Sequence, residues 1–427
     1  MRIIIDSFGC TMNHGEARSA GEILADLGHD VSFGLEASGI QDAEGVLLFT
    51  CDVISSTERR MWKLMDEVQR SGKRLYAAGC LASIEAEKIK RKYPESVILD
   101  TMGLDRTETS VRKFFGMTGN GTGFKSYVDP SRLDHIIPIS SGCLGSCTYC
   151  ITREARGPLK SNSGSVIADR IRAGLNNGRK EILLSSQDTG SWGRDLGKGQ
   201  NLGTLLRFLS SSVCEEMRIR VGMMNPDHLA RNLESILSGF ADQRIFKFFH
   251  LPVQSGSSEV LGRMNRNYSP GDVESVINSL RERYPGATLS TDVITGFPGE
   301  SEEDHRKSVE FISKVGPDIL NITRFSSRKG TPASEMENQV HGWISKERSR
   351  EFHRIHEEIL KEKLRERLGI HRNCLVTEVG KEGTMMARDL NYTPIVIEGG
   401  KDLLGRFVDI ETERIGPTYL LGEIVNF

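Results

Sequence analysis

From about residue 126 to residue 325, six short apolar runs alternate with amphipathic helical stretches, and few architectures accept that pattern. The runs are His135–Ile139, Glu181–Ser185, Arg218–Met223, Phe246–Leu251, Thr288–Ile294 and Ile319–Phe325. Apolar residues at helical spacing occupy the intervals, in Ser163–Asn176, Leu229–Leu237, Asp272–Arg283 and Glu302–Val315. A strand, a crossover helix and a parallel strand connect with one hand, so such units in series curl the same way. The pattern predicts a partial (β/α)6 barrel with its chemistry at the strand C-termini.

The flanking segments differ in character. Arg2–Ile5, Val46–Phe49 and Arg74–Ala77 are continuous apolar runs, as expected of parallel strands buried on both faces. Helical patterns over Glu16–Leu27 and Ser56–Arg70 separate them, with Gly28 and Gly72 as stops. An open, Rossmann-like parallel sheet is predicted, closed off by a glycine-rich linker at Gly116–Gly123. Beyond the barrel, Ser345–Leu368 reads as one long, charge-mixed helix with a mostly solvated face. Short β-rich runs follow at Cys374–Val379, Ile395–Glu398, Phe407–Thr412 and Leu420–Val425, which suggests a small closed β-barrel of OB-like size. The fold class is therefore α/β, in three domains: 1–125, 126–368 and 369–427.

No stretch approaches the 18 or so consecutive apolar residues of a membrane span, and MRIIIDSFGC lacks the regions of a signal peptide. A cytoplasmic location is expected. A net charge of −2 advertises no global field for nucleic acid. In a reducing compartment, eight cysteines point to metal binding or catalysis rather than disulfides.

Cys143-Leu-Gly-Ser-Cys147-Thr-Tyr-Cys150 follows the first barrel strand. Three thiolates on one loop can hold three irons of a cubane and leave the fourth open. An open iron can take the amino and carboxylate groups of S-adenosylmethionine (SAM) and deliver the electron that cleaves it to a radical. The alternative is zinc, which wants four ligands and usually two paired motifs. Cys10, Cys51 and Cys80 each follow directly on a predicted strand, in RIIIDSFGC, VLLFTC and RLYAAGC. Parallel strands end on one edge, so these three cysteines should converge on a shared metal site. Isolated buried thiols are the competing reading, and the one preferred for Cys214 and Cys374.

The chain resembles the methylthiotransferases of the radical SAM superfamily along essentially its whole length. The motifs are SGCLGSCTYCITREARGPLKS from Ser141, SSQDTGSWGRD from Ser185, RVGMMNP from Arg220, HLPVQSGSSEVLGRMNRNY from His250, DVITGFPGE from Asp292 and FSSRKGTPAS from Phe325. The resemblance implies two [4Fe–4S] clusters, a radical SAM cluster on Cys143, Cys147 and Cys150 and an auxiliary one on Cys10, Cys51 and Cys80. It implies two equivalents of SAM per turnover, one for polar methylation of sulfur and one for the radical. It implies a C-terminal TRAM domain, a tRNA substrate, and external sulfur-donor and electron-donor systems. SQDTGSWG is most similar to the branch acting on threonylcarbamoyladenosine. Isopentenyladenosine in tRNA and an aspartate of a ribosomal protein are the other targets of the family, and a non-catalytic, metal-containing RNA-binding protein is the alternative of another class.

Tyr149, Gln187, Asp188, Gln254, Gly296, Phe297 and Pro298 are the expected SAM contacts, and no catalytic residue is assigned beyond the cluster ligands. Arg153 and Arg156 are candidates for SAM carboxylate or RNA phosphate. His250 is expected to be a satisfied core histidine, and Met223 and Met224 to pack in the core. The last segment, His371–Phe427, holds six Lys/Arg against nine Asp/Glu, an unusual balance for an RNA grip. Arg372, Lys381, Arg388 and Arg406 are its candidate phosphate contacts.

Overall fold

The computed structural model describes residues 1–35, 39–51, 55–116 and 133–426. The 125/126 boundary, and all of the glycine-rich stretch after Gly116, lie outside the described residues. The N-terminal unit is a five-stranded sheet of β1 (Arg2–Ser7), β2 (Asp30–Phe33), β3 (Gly45–Thr50), β4 (Arg74–Ala78) and β5 (Val97–Ile98) in the order β2-β1-β3-β4-β5. Every pairing in it is parallel. The strand order reverses between β1 and β3, the position at which open α/β sheets leave a crevice at their C-terminal edge. Ile3, Ile5, Leu47 and Phe49 pack into one apolar layer and Ile4, Val46, Leu48 and Ala77 into another, so the sheet is covered on both faces.

In the central unit β6 (Asp134–Pro138), β9 (Glu181–Ser185) and β10 (Arg218–Val221) form one parallel trio. The other is β11 (Phe248–His250), β12 (Thr288–Thr295) and β13 (Ile319–Arg324). A parallel bridge between Ile219 and Ile245 joins them, giving six strands in chain order. The two-residue strands β7 (Ser140–Ser141) and β8 (Lys160–Ser161) pair antiparallel at the base of the cysteine loop. The expected helix over Leu229–Leu237 is two helices, Pro226–Ala230 and Leu233–Gly239. The long helix spans Gly342–Glu366 and is mostly solvated as expected, apart from one buried stripe. Arg348 on it is buried and pairs with the buried Glu300 at 2.6 Å, while Ser345, Phe352 and Leu364 are also buried.

Five strands, β14 (Gly369–Val379), β15 (Thr384–Arg388), β16 (Pro394–Glu398), β17 (Phe407–Ile415) and β18 (Leu420–Asn426), close into a barrel in the order β14-β15-β16-β18-β17. Only the β16–β18 pairing is parallel, the OB-like arrangement. This barrel docks on the strand N-termini of the central unit. Tyr392 packs edge-on against Phe246 and Phe248, with centroids 4.8 and 5.1 Å away, and its hydroxyl donates to Glu181 at 3.0 Å. Arg218 donates to Asn373 O at 2.9 Å and Lys247 N to Leu390 O at 2.8 Å. Arg388 turns inward over the Tyr392 ring, Arg372 lies 3.8 Å from Asp409 and Arg406 Nε donates to Asp402 O at 3.0 Å, so three of the four expected phosphate contacts already have partners. Cys374 is buried as expected, whereas Cys214 is exposed.

Two predictions follow from this packing. Tyr392→Ala should lower stability by about 3–5 kcal/mol, because it opens a cavity and strands Glu181, and Tyr392→Phe by about 1–3 kcal/mol. Urea unfolding monitors both. His135 is buried on β6, and that burial holds its imidazole at about 4, below its ordinary 6.5. Between those values the unfolded chain binds the extra proton, so stability is full above pH 6.5 and falls by roughly 3 kcal/mol as the pH drops toward 4. His135→Leu should flatten that limb of a urea-midpoint versus pH curve.

Candidate active site

The sheet register brings the three distant cysteines together. Ser7 pairs with Phe49, and Phe49 with Ala78, so β1, β3 and β4 end abreast. Cys10, Cys51 and Cys80 each follow that row within three positions. Two glycines permit the approach. A Cβ on Gly9 (φ +99°) would stand 2.5 Å from Cys51 Sγ, and one on Gly79 (φ +85°) 2.3 Å from Thr50 O. Asn13, on the helix that starts after Cys10, donates to Phe8 O, Phe49 O and Thr50 O at 2.7, 3.0 and 3.3 Å. It ties the ends of β1 and β3 and was not anticipated; its place three residues after Cys10, on the first helical turn, was the available signal. Cys51 and Cys80 are buried and Cys10 is exposed, so the trio has one open side.

The second trio sits on a loop braced at several points. Thr148 donates from N to Met264 O at 3.1 Å and from Oγ1 to Arg263 O at 2.8 Å, and its carbonyl accepts from Ala333 N at 2.9 Å. Asn265 Nδ2 donates to Ser146 O at 2.9 Å, and Arg266 donates to Tyr149 OH at 2.7 Å. Backbone N–H groups already point at two sulfurs: Gly145 N to Cys143 Sγ at 3.2 Å and Thr152 N to Cys150 Sγ at 3.4 Å. Burial pushes the Cys143 thiol up to about 11 against that donated bond, and raises Cys147 against the nearby Arg266 charge. Partly buried thiols with donors in place and one exposed member, Cys150, fit a cationic cluster that supplies the missing positive charge. Among the described residues, no three His, Cys, Asp or Glu side chains gather on the scale of a single metal ion.

Beside Cys150 lies a cavity of about 230 Å³ at the C-terminal ends of β12 and β13. Tyr149, Gln254, Asp292, Thr323, Arg324 and Arg328 line it. Gln254 adopts φ +78°, a conformation costly for a side-chain-bearing residue, and is locked there by backbone bonds with Asp292 O and Ile294 N, 2.8 and 2.9 Å. Gln187 Oε1 is buried with no hydrogen-bond partner, at the end of β9. His250 is satisfied as expected but is not fully in the core: it is partly exposed and bonds Asp292 at 2.9 Å, and Asn321 donates to the same carboxylate at 2.7 Å. Met224 is buried and Met223 only partly so.

Other expected contacts have structural duties as well. Asp188 is committed to its own loop, accepting from Gly190 N at 3.0 Å, Asn225 N at 2.9 Å and the His228 ring. Gly296 serves the long helix, since a Cβ there would meet Ser345 Cβ at 2.6 Å. Phe297 and Pro298 are buried, and Phe297 packs edge-on beneath Tyr149 at 6.2 Å. Arg153 is exposed, but Arg156 is buried, forks onto Glu16 at 2.7 and 3.0 Å and donates to Cys80 Sγ at 3.3 Å. Arg156 therefore faces neither a SAM carboxylate nor phosphate.

Asp188→Ala should lower stability by about 2–4 kcal/mol, because it orphans three buried donors, whereas Gln187→Ala should leave unfolding midpoints unchanged. Chemical unfolding of the two variants separates a loop organiser from an unoccupied acceptor.

Comparison with known families and proteins agrees with this geometry. Residues 137–312 match the radical SAM superfamily, residues 2–100 the Uncharacterized protein family UPF0004, and residues 367–425 the TRAM domain. The chain is 36% identical to a probable threonylcarbamoyladenosine tRNA methylthiotransferase of Archaeoglobus fulgidus, over 99% of both chains. It is 36% identical to the protein of that name from Pyrococcus horikoshii, over 100% of both. It is 30% identical to the human threonylcarbamoyladenosine tRNA methylthiotransferase, over 100% of this chain and 74% of that one. Among solved structures it shares its fold with the radical SAM methyltransferase TsrM of Kitasatospora setae, at a TM-score of 0.55 and 12% identity, covering 78% of this chain and 75% of that one. Full-length identity to such relatives, on a scaffold that gathers two cysteine trios, places the chain in the threonylcarbamoyladenosine tRNA methylthiotransferase family.

Proposed function

We propose that this chain adds a methylthio group to C2 of threonylcarbamoyladenosine in tRNA, with two [4Fe–4S] clusters and two equivalents of SAM per turnover. The observation that carries the reading is a link from the segment after one trio to a cysteine of the other. Arg156 lies on the helix Thr152–Arg156 directly after Cys150, and its guanidinium touches Cys80.

When bound, a cluster on Cys143, Cys147 and Cys150 supplies the electron that cleaves SAM to the hydrogen-abstracting radical, and one on Cys10, Cys51 and Cys80 supplies a site for the sulfur to be transferred. The chain's own residues do the positioning. The Gln187 acceptor and the strained Gln254 are the polar groups available to orient SAM, with Tyr149 as a wall held by Arg266. Asp292, fixed by His250 and Asn321, presents an oriented carboxylate at the same cavity. In the TRAM barrel Lys381 is the expected phosphate contact left over. An electron donor, a sulfur donor and a cytoplasmic location complete the proposal.

The test is reconstituted protein with SAM, reductant, a sulfur source and tRNA, read by nucleoside mass spectrometry. The methylthio derivative of threonylcarbamoyladenosine should appear, and tRNA left unmodified would sink the proposal. Cys51→Ala should abolish that product yet leave release of 5′-deoxyadenosine. Gln187→Ala should raise the KM for SAM about tenfold, the loss of one or two hydrogen bonds.

A further inference from the structure

The turn that follows the second cysteine trio is anchored at both ends to groups that matter. At one end Cys143 N donates to Gly157 O at 3.2 Å, so the turn is tied back to the first cysteine of its own loop. At the other end it grips the N-terminal unit three ways. Ser83 Oγ donates to Ala155 O at 2.9 Å, from the helix Gly79–Ile84 that carries Cys80. Arg156 reaches Cys80 Sγ itself through Nε at 3.3 Å. Its two terminal nitrogens fork onto Glu16 at 2.7 and 3.0 Å, and Glu16 belongs to the helix Thr11–Asp26 that starts after Cys10. The pair is sealed from solvent, with side chains 1% and 0% exposed.

We propose that Arg156 is a positioning residue that fixes the separation and orientation of the two cysteine sites and tunes the reduction potential of the cluster on Cys80. This rests on the two-cluster reading above. The geometry argues for more than a structural ion pair. A planar guanidinium that makes three directed bonds leaves little freedom to slide or rotate, whereas apolar contacts of the same area would. The Nε–H aimed at a ligand sulfur withdraws electron density from it, and hydrogen bonds and charge at the sulfurs set cluster potentials. Glu16 neutralises the same cation, so the two side chains act on the potential with opposite sign.

That opposition supplies the test. Redox titrations followed by electron paramagnetic resonance would use the full chain with Cys143, Cys147 and Cys150 all changed to Ala, so that only the auxiliary cluster is loaded. Glu16→Gln leaves the arginine charge uncompensated and should move the midpoint potential positive. The double variant Glu16→Leu/Arg156→Met removes both charges and the N–H···S bond at similar volume, and should move it negative. With the six cysteines intact, the double variant should release roughly tenfold more 5′-deoxyadenosine per methylthiolated nucleoside, since a misplacement of about 1 Å is enough to cost that much. Arg156→Lys keeps the charge but not the fork, and should fall between wild type and the double variant in that ratio.

Unchanged potentials in Glu16→Gln and the double variant, with an unchanged product ratio, would overturn the inference. Should the double variant not fold, Glu16→Gln and Arg156→Lys decide alone, on the same two readouts. Iron analysis keeps the two ideas apart. About four irons in the wild-type chain instead of about eight would refute the two-cluster reading itself, while eight irons with immobile potentials would refute only the role of Arg156.

Discussion

Parallel strands must end on the same side of their sheet, and the candidate site is built on that rule twice over. In the N-terminal sheet the rule sets Ser7, Phe49 and Ala78 abreast, so cysteines that are 41 and 29 positions apart in sequence come within reach of one another. In the central unit the same rule puts the cysteine loop, Gln187, Gln254 and Asp292 on the C-terminal edge. Neither trio needs a local metal-binding motif of the paired kind. The first needs only adjacent strands and glycines where the backbone has to approach a sulfur or a carbonyl, and the second lies on one loop at a strand end.

The opposite edge is closed, and that closure defines which side can receive substrate. Glu181, Arg218 and Phe248 stand at the starts of their strands, and the C-terminal barrel caps them through Tyr392, Asn373 and Leu390. A polar cluster buried there would be costly if any member lacked a partner. Glu181 is satisfied by the Tyr392 hydroxyl, with Arg220 and Arg388 stacked on the same ring. Part of the barrel's small stock of cations is thus spent on docking, which sharpens the mismatch between its net acidity and an RNA-binding duty.

Much of this was legible in the sequence, because burial on both faces of a parallel sheet writes long apolar runs and helical crossovers write a 3.6-residue period. The elements missed were those with little apolar signal. β2 (DVSF) is a half-exposed edge strand, β5 has two residues, and β15 (TMMAR) alternates weakly. Among candidate site residues, Cys10, Cys51 and Cys80 stood out because each follows a strand, and Cys143, Cys147 and Cys150 by their spacing on one loop at a strand end. Asp188 and Gly296, read as ligand contacts, also serve loop and helix packing, a duty that depends on His228 and Ser345, 40 and 49 positions away. The partner of Arg156 lies 140 residues from it, and no periodicity reports a contact of that range.

The joint between the N-terminal unit and the barrel explains why such long-range polar partners recur. The apolar cores of the two units share no residue. Beside the close approach of Gly15 to Ile136 and Pro138, charged pairs span the boundary: Arg18 with Asp134 at 2.7 Å, Arg156 with Glu16 at 2.7 Å, and Arg328 with Glu58 at 2.9 Å. Buried ion pairs of this kind give back much of their Coulombic gain as desolvation, so they contribute little net affinity between the units. They do impose direction, because a forked guanidinium bond weakens steeply when its partner tilts. If two thiol sites serve one nucleoside, as proposed, forked pairs that are strict in angle meet the geometric demand better than apolar contacts, which tolerate slip at small cost.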